Sequence, residues 1–217
     1  DRRGEGNTLN SLGLAYANLG DARKAIDLYE QALVIAREIG NRSSEGDAIG
    51  NLGNVYSNLG DTRRAVEFYE KQLVIVREIG DRKGEENALG NMGIVYAILG
   101  DLGRAIEFFE QRMEIAHEIG DKRGEGINLA NMGNAYFKMG DARKSIDYLE
   151  QALTIAREIG NRRSEGDTLG SLGLAYASLD DKKRAQEFLK QSLGILEEIG
   201  SPNAEMVREI LAEVGNN

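Results

Sequence analysis

The chain has 217 residues, 41% apolar and 29% charged, with a net charge of −9 and no cysteine. That acidic balance sets it against nucleic-acid binding, which needs clustered Lys and Arg on phosphates, and the missing thiols exclude disulfides and thiolate metal sites. No run of eighteen apolar residues offers a membrane-spanning helix, and no signal peptide opens the chain, so the cytoplasm is the expected compartment.

Residues 1–40, 41–80, 81–120, 121–160 and 161–200 repeat one pattern in phase, without insertion or deletion, and residues 201–217 form a tail. Gly20-Asp21, Gly60-Asp61, Gly100-Asp101 and Gly140-Asp141 punctuate it, with Asp180-Asp181 as a degenerate last copy. A fixed period of about twenty to fifty residues marks a stacked array rather than a globule with one closed core. The chain opens at a repeat boundary, Asp1-Arg2 matching Asp81-Arg82, which suggests a piece of a longer array or protein.

Residues 1–20 read as a helix A and residues 21–40 as a helix B. On a wheel of 100° per residue, Leu9, Leu12, Gly13, Tyr16 and Leu19 share one side of helix A. In helix B, Ala25, Ile26, Leu28, Tyr29, Ala32, Leu33, Ile35, Ala36 and Ile39 cluster, opposite Arg23, Asp27, Glu30, Gln31, Arg37 and Glu38. Gly20 suits a left-handed residue past a helix end, and Asp21 suits the cap of the next helix. Gly40 and Asn41 repeat that grammar. Glu5, Glu45, Glu85, Glu125 and Glu165 fall in first turns, where the helix dipole favours negative charge. Gly13, Gly53, Gly93, Gly133 and Gly173 sit mid-helix at a cost of about 1 kcal/mol each. The simplest reason is close approach of the partner helix. In the tail, Ser201-Pro202 starts a helix with Met206, Val207, Ile210, Leu211 and Val214 on one apolar stripe, a cap for the last repeat. No matching cap precedes Asp1, so Leu12, Ala15 and Leu19 offer a surface for end-to-end self-association.

The pattern Leu12-Gly13-x-x-Tyr16, Gly20-Asp21, Ala25, with Tyr29 and Ala32, resembles the tetratricopeptide repeat over residues 1–200. The forty-residue spacing is longer than the commonest period of about thirty-four. With Asn51-Leu52-Gly53-Asn54-Val55-Tyr56 and Ile35-Ala36-Arg37-Glu38-Ile39-Gly40, it looks like the long repeats of Pins/LGN polarity proteins and kinesin light chains. The resemblance implies an all-α, right-handed superhelical solenoid of five helix-turn-helix hairpins plus a C-terminal capping helix. It also implies a non-enzymatic scaffold for protein partners.

Catalytic chemistry has little footing. The single histidine, His117, occupies a solvent-face position held elsewhere by Arg37, Arg77, Arg157 and Glu197. No phosphate-loop motif occurs, and neither cofactor nor metal is expected.

Helix A has a second face, at repeat positions 7, 10, 11, 14, 17 and 18, which the resemblance places on the concave surface. There Gly50, Gly90, Ala130 and Gly170 are small and leave room for a bound backbone. Asn51, Asn54, Asn91, Asn131 and Asn134 offer amide donors and acceptors to an extended peptide, although they also suit bridges between repeats. Ile94, Ile98, Ile127 and Phe137 put apolar bulk where exposure is expected, as one candidate pocket. Asp47, Glu86 and Asp167 form an acidic rim, with Lys138 opposing. A protein or peptide partner, neutral or basic with apolar anchors, is therefore expected in the groove. Chaperone-binding relatives use a lysine-rich clamp that Asn10, Gly50, Gly90, Ala130 and Gly170 do not supply. The competing readings are a self-associating structural array and the sensor region of a larger signalling protein.

Overall fold

A computed structural model describes residues 1–216. Among them run eleven α-helices and no strand: α1 Arg2–Asn18, α2 Ala22–Glu38, α3 Arg42–Asn58, α4 Thr62–Glu78, α5 Arg82–Ile98, α6 Leu102–Ile119, α7 Lys122–Lys138, α8 Ala142–Glu158, α9 Arg162–Ser178, α10 Lys182–Glu198 and α11 Asn203–Asn216. The chain divides into two compact units, residues 1–115 and residues 116 onward.

The helix ends follow from the punctuation. Asp21, Asn41, Asp61 and Asp81 each accept a backbone N–H from three residues on, at 2.9–3.2 Å, satisfying one of the donors a helix start leaves open. Gly20, Gly60, Gly100 and Gly140 follow helix ends with φ of 77–84°. There Gly20 N–H donates to Ala17 and Asp21 N–H to Tyr16, closing the carbonyl end of α1. Asp180 must adopt the same left-handed turn at φ 60° with a side chain attached. Asp180→Gly is therefore expected to stabilise the protein by about 1 kcal/mol, read as a higher urea midpoint. An unmoved midpoint would show that the aspartate holds this turn without strain.

Each unit is built of antiparallel neighbours. In the first, α1 packs on α2, α2 on α3, α3 on α4 and α4 on α5. In the second, α7 to α11 pack in the same consecutive way. The mid-helix glycines are the contact points. A Cβ on Gly13 would stand 2.7 Å from the Tyr29 ring, on Gly53 2.6 Å from the Tyr69 ring, and on Gly133 2.7 Å from Leu149 Cγ. Each hairpin thus lodges one large helix-B side chain in a backbone notch on helix A. Tyr29, Tyr69 and Leu149 are almost completely buried there.

Two further fastenings recur. Tyr56 stacks on Phe68 with centroids 5.3 Å apart and carries Arg64 over its ring; Tyr176, Phe188 and Arg184 repeat the sandwich. Each stacked pair is worth about 0.5–1.5 kcal/mol beyond its area. The first-turn glutamates do more than answer the dipole. Glu45 accepts from Arg37 at 2.8 Å and Arg42 at 2.5 Å, and Arg42 reaches on to Glu78. Burial alone would raise the Glu45 carboxyl, but the hydrogen bonds from Arg37 and Arg42 outweigh it and hold it below the usual range. Arg157, Arg162 and Glu165 repeat the clasp. At the His117 copy, Nδ1 stays 4.0 Å from Glu125, and the imidazole is largely exposed.

The tail helix covers the end of the second unit. Ala204 and Val207 are buried against Leu189 and Leu196, with Ile210, Leu211 and Val214 half-buried beside them. Met206, expected on the same stripe, points outward. At the other end Leu12 and Leu19 stay exposed.

Candidate functional site

In the first unit, helix-A faces of α1, α3 and α5 bring side chains of one kind together. One concavity of about 320 Å³ is lined by Asn10, Asp47, Asn51, Asn54, Asn87 and Asn91, with Gly50 and Gln72 at its floor. A second, of about 380 Å³, adjoins it and adds the apolar walls Leu14, Val55 and Ile94 and the rings of Tyr29 and Tyr69. No lysine or arginine lines either.

The asparagines make the bridges between repeats that the sequence allowed for. Asn51 donates its Nδ2 to Asn10 Oδ1 at 3.0 Å, and Asn91 donates to Asn54 Oδ1 at 3.1 Å. Both bonds join one helix A to the next. Asn54 Oδ1 also accepts from the Tyr69 hydroxyl at 2.8 Å, and burial pushes that hydroxyl up to about 12. These bonds orient the amides and leave Asn51 Oδ1, Asn91 Oδ1, Asn10 Nδ2 and Asn54 Nδ2 without a protein partner.

The small residues do not leave an empty floor. A Cβ on Gly50 would stand 2.6 Å from Gln72 Cδ, and one on Gly90 3.0 Å from Arg112 Cδ. Glycine in helix A is a window through which a helix-B side chain reaches the groove. The helix-B residue is Gln72, Arg112 and Ser192 behind Gly50, Gly90 and Gly170, but alanine at Ala32 and Ala152, behind Asn10 and Ala130. Size on one helix thus compensates size on the other, consistent with a densely packed interior.

Glu86 requires a correction. It is fully buried, not a member of a solvated rim. Its Oε1 accepts from Arg112 Nε at 3.1 Å and Nη2 at 3.0 Å, and Lys83 Nζ lies 2.6 Å from Oε2. The equivalent positions one repeat earlier hold Gly46 and Gln72. The sequence carried a signal for the pair, because position 86 is glycine in the other four copies and Arg112 is the sole cation at its position, so both departures fall in one repeat.

The remaining acids differ. Asp167 is half-buried and accepts from Asn203 Nδ2 at 2.9 Å, tying α9 to the start of the tail helix. Asp47 is exposed and has no hydrogen bond or ion pair. Desolvation by the surrounding walls raises its carboxyl, and the like charge of Asp81 adds to the rise.

In the second unit, Ile127, Asn131 and Asn134 line a cleft of about 280 Å³ with Asp167 and Thr168. Asn131 Nδ2 is buried there without an acceptor. Phe137 is half-buried and packs on the core formed by Ile146, Leu149 and Leu172, so its ring is not a free groove anchor. Lys138 is exposed. Ile94 and Ile98 are exposed on α5 in the first unit. Gln72 and the Tyr69 hydroxyl were not anticipated. Both lie on the apolar stripe of helix B, where a polar atom is the only hint.

Among the described residues no group of three or more acidic or histidine side chains is placed to hold a metal ion, and no helix is long and apolar enough to cross a membrane.

Stacked helical hairpins notched by glycine define an α-solenoid. The chain belongs to the tetratricopeptide repeat family, whose model matches residues 4–73, 45–118 and 126–198. No curated protein matches the sequence. Among solved structures, the chain superposes at a TM-score of 0.84 and 22% identity on the tetratricopeptide-repeat sensor protein PH0952 of Pyrococcus horikoshii, a signal transduction ATPase with numerous domains, covering 99% of this chain and 33% of that one. It matches the nearly identical repeats of a Podosopora anserina putative kinesin light chain at 0.74 and 20% identity, over 92% and 98% of the two chains. It matches NprR, solved in complex with its cognate peptide NprX, at 0.70 and 19% identity, over 91% and 57%. At these identities the likeness is one of fold.

Proposed function

We propose that the chain is a non-enzymatic interaction scaffold whose helix-A face in the first unit holds a peptide segment of a partner protein. The observation that carries this is the amide-lined concavity, whose side chains are fixed by bonds to one another yet keep both donors and acceptors unoccupied. An extended peptide has backbone N–H and C=O groups in need of such partners. Ile94 and Leu14, exposed on the adjoining walls, suit an apolar anchor. The NprR complex gives a precedent in the same fold for peptide capture.

Selection from a random peptide display library tests the reading. The wild-type chain is expected to enrich a shared motif. A variant carrying Asn51→Ala, Asn91→Ala and Ile94→Asp is expected to bind that peptide at least about tenfold more weakly, since losing a buried anchor and two hydrogen bonds exceeds 1.4 kcal/mol. Equal binding by a folded variant would move the site elsewhere.

A second reading, the sensing part of a larger signalling protein, draws support from PH0952, where nearly the whole chain aligns with a third of a multidomain ATPase. The two are compatible, because a sensor of this shape works by binding. An ATPase module in the same open reading frame would support it, and a reading frame without one would remove it.

A further inference from the structure

The groove floor of the first unit contains a polar group that the fold leaves unanswered. Gln72 is only 9% exposed, and its Oε1 has no hydrogen-bond partner. A buried carbonyl without a donor costs about 1–3 kcal/mol, so its retention on an otherwise apolar stripe asks for an occupant. The corresponding residue one repeat on, Arg112, is answered by Glu86. Gln72 Oε1 needs a donor instead, and no protein group supplies one.

The rest of the concavity has the same bias. Asp47 brings an unpaired carboxylate to the lip. Asn51 and Asn91 each give one Nδ2 hydrogen to Asn10 and Asn54, and their carbonyl oxygens are unmatched acceptors. Asn10 and Asn54 keep their NH2 groups, so donors are present, but no cation lines the cavity. Arg3 lines the adjoining cleft that Asp47 shares and makes no ion pair with it. A ligand group that answers Gln72 Oε1 and Asp47 together carries N–H donors and a positive charge.

We infer that this cavity is the pocket for a basic side chain of the bound segment, an arginine guanidinium foremost, with Asp47 meeting its charge and Gln72 Oε1 accepting from its inner N–H. The inference rests on the peptide-binding reading and specifies its ligand. A planar guanidinium offers five donors in a fixed fork and is more weakly hydrated than an ammonium, which suits a floor of carbonyl acceptors beneath one carboxylate. The unpaired state of Asp47 fits the same picture: its carboxyl is raised by desolvation and by Asp81, and the attraction of a bound cation would offset both.

The test uses N-acetyl-arginine-methylamide and its neutral isostere N-acetyl-citrulline-methylamide as probes, titrated into the full chain and followed through the side-chain amide signals of Gln72, Asn51 and Asn91. The arginine probe is expected to shift these signals and to bind about tenfold more tightly than citrulline. Asp47→Asn is expected to abolish that preference. Gln72→Ala is expected to weaken the arginine probe several-fold. Asp47→Asn is not expected to lower the melting temperature, since Asp47 makes no hydrogen bond or ion pair with the protein; Gln72→Ala empties the Gly50 window, so its binding is read on the folded variant. Arginine and citrulline binding alike, or neither moving these signals, would overturn the inference. A display motif that lacks basic residues yet depends on Asn51 and Asn91 would overturn it while leaving the peptide reading intact.

Discussion

Glu86→Ala is expected to lower stability by about 3–5 kcal/mol, because it strands the Arg112 guanidinium in a buried position. Arg112 holds Glu86 Oε1 through two nitrogens at 3.0 and 3.1 Å, and Glu86 has no access to water. The reciprocal change, Arg112→Ala, leaves Lys83 as a partner, so it is expected to cost less. The informative variant is the double change Glu86→Gly with Arg112→Gln. It recreates in the third repeat the set Gly46, Gly50 and Gln72 that the second repeat already accommodates. Exchanging a buried pair for groups of compatible shape is often close to neutral, and the added mid-helix glycine costs about 1 kcal/mol. The double variant is therefore expected within about 2 kcal/mol of wild type by urea denaturation, well above the single Glu86→Ala change. If the double variant is as unstable as the single one, the pair does more than fill and neutralise its pocket.

Gly133→Val is expected to cost about 3 kcal/mol through overpacking. Its Cβ would meet Leu149 Cγ at 2.7 Å, Leu149 Cδ2 at 2.9 Å and the carbonyl oxygen of Ser145 at 3.1 Å. The leucine tip can yield, but the backbone oxygen moves only if α7 and α8 separate. Helix propensity alone predicts the opposite sign, since valine is a better helix former than glycine. Gly194 supplies the control within the same unit. It lies in the interior of α10 with nothing within 4 Å of an added Cβ. Gly194→Ala is expected to stabilise by about 1 kcal/mol. Opposite shifts of the thermal midpoint for the two substitutions would separate the notch from mere helix propensity. Equal small gains would show that the helices adjust freely, and the notch would then have no role in fixing their spacing.

These two cases mark how far the sequence reaches. Helix existence, helix ends and the buried stripe of helix B were legible because they depend on neighbours three or four residues away, the range over which a wheel applies. The capping acids and the left-handed glycines were legible for the same reason. So was the demand for a notch at Gly133, since a cost repeated in every unit implies a partner, although not which one. Asp47 is exposed because its own helix leaves it so.

Glu86 was misplaced because its wheel position is also open, and its burial comes from Arg112, 26 residues away on another helix. The sequence by itself determined the repeating helices, their boundaries and which face of each turns inward, since local geometry and hydrophobic burial suffice for these. Only the tertiary structure decided that Gln72 reaches through the Gly50 window, that Asn51 and Asn91 tie their helices together, and that Phe137 joins a core. Those outcomes depend on which side chains two packed helices bring within hydrogen-bond or van der Waals range, a distance that no single helix encodes.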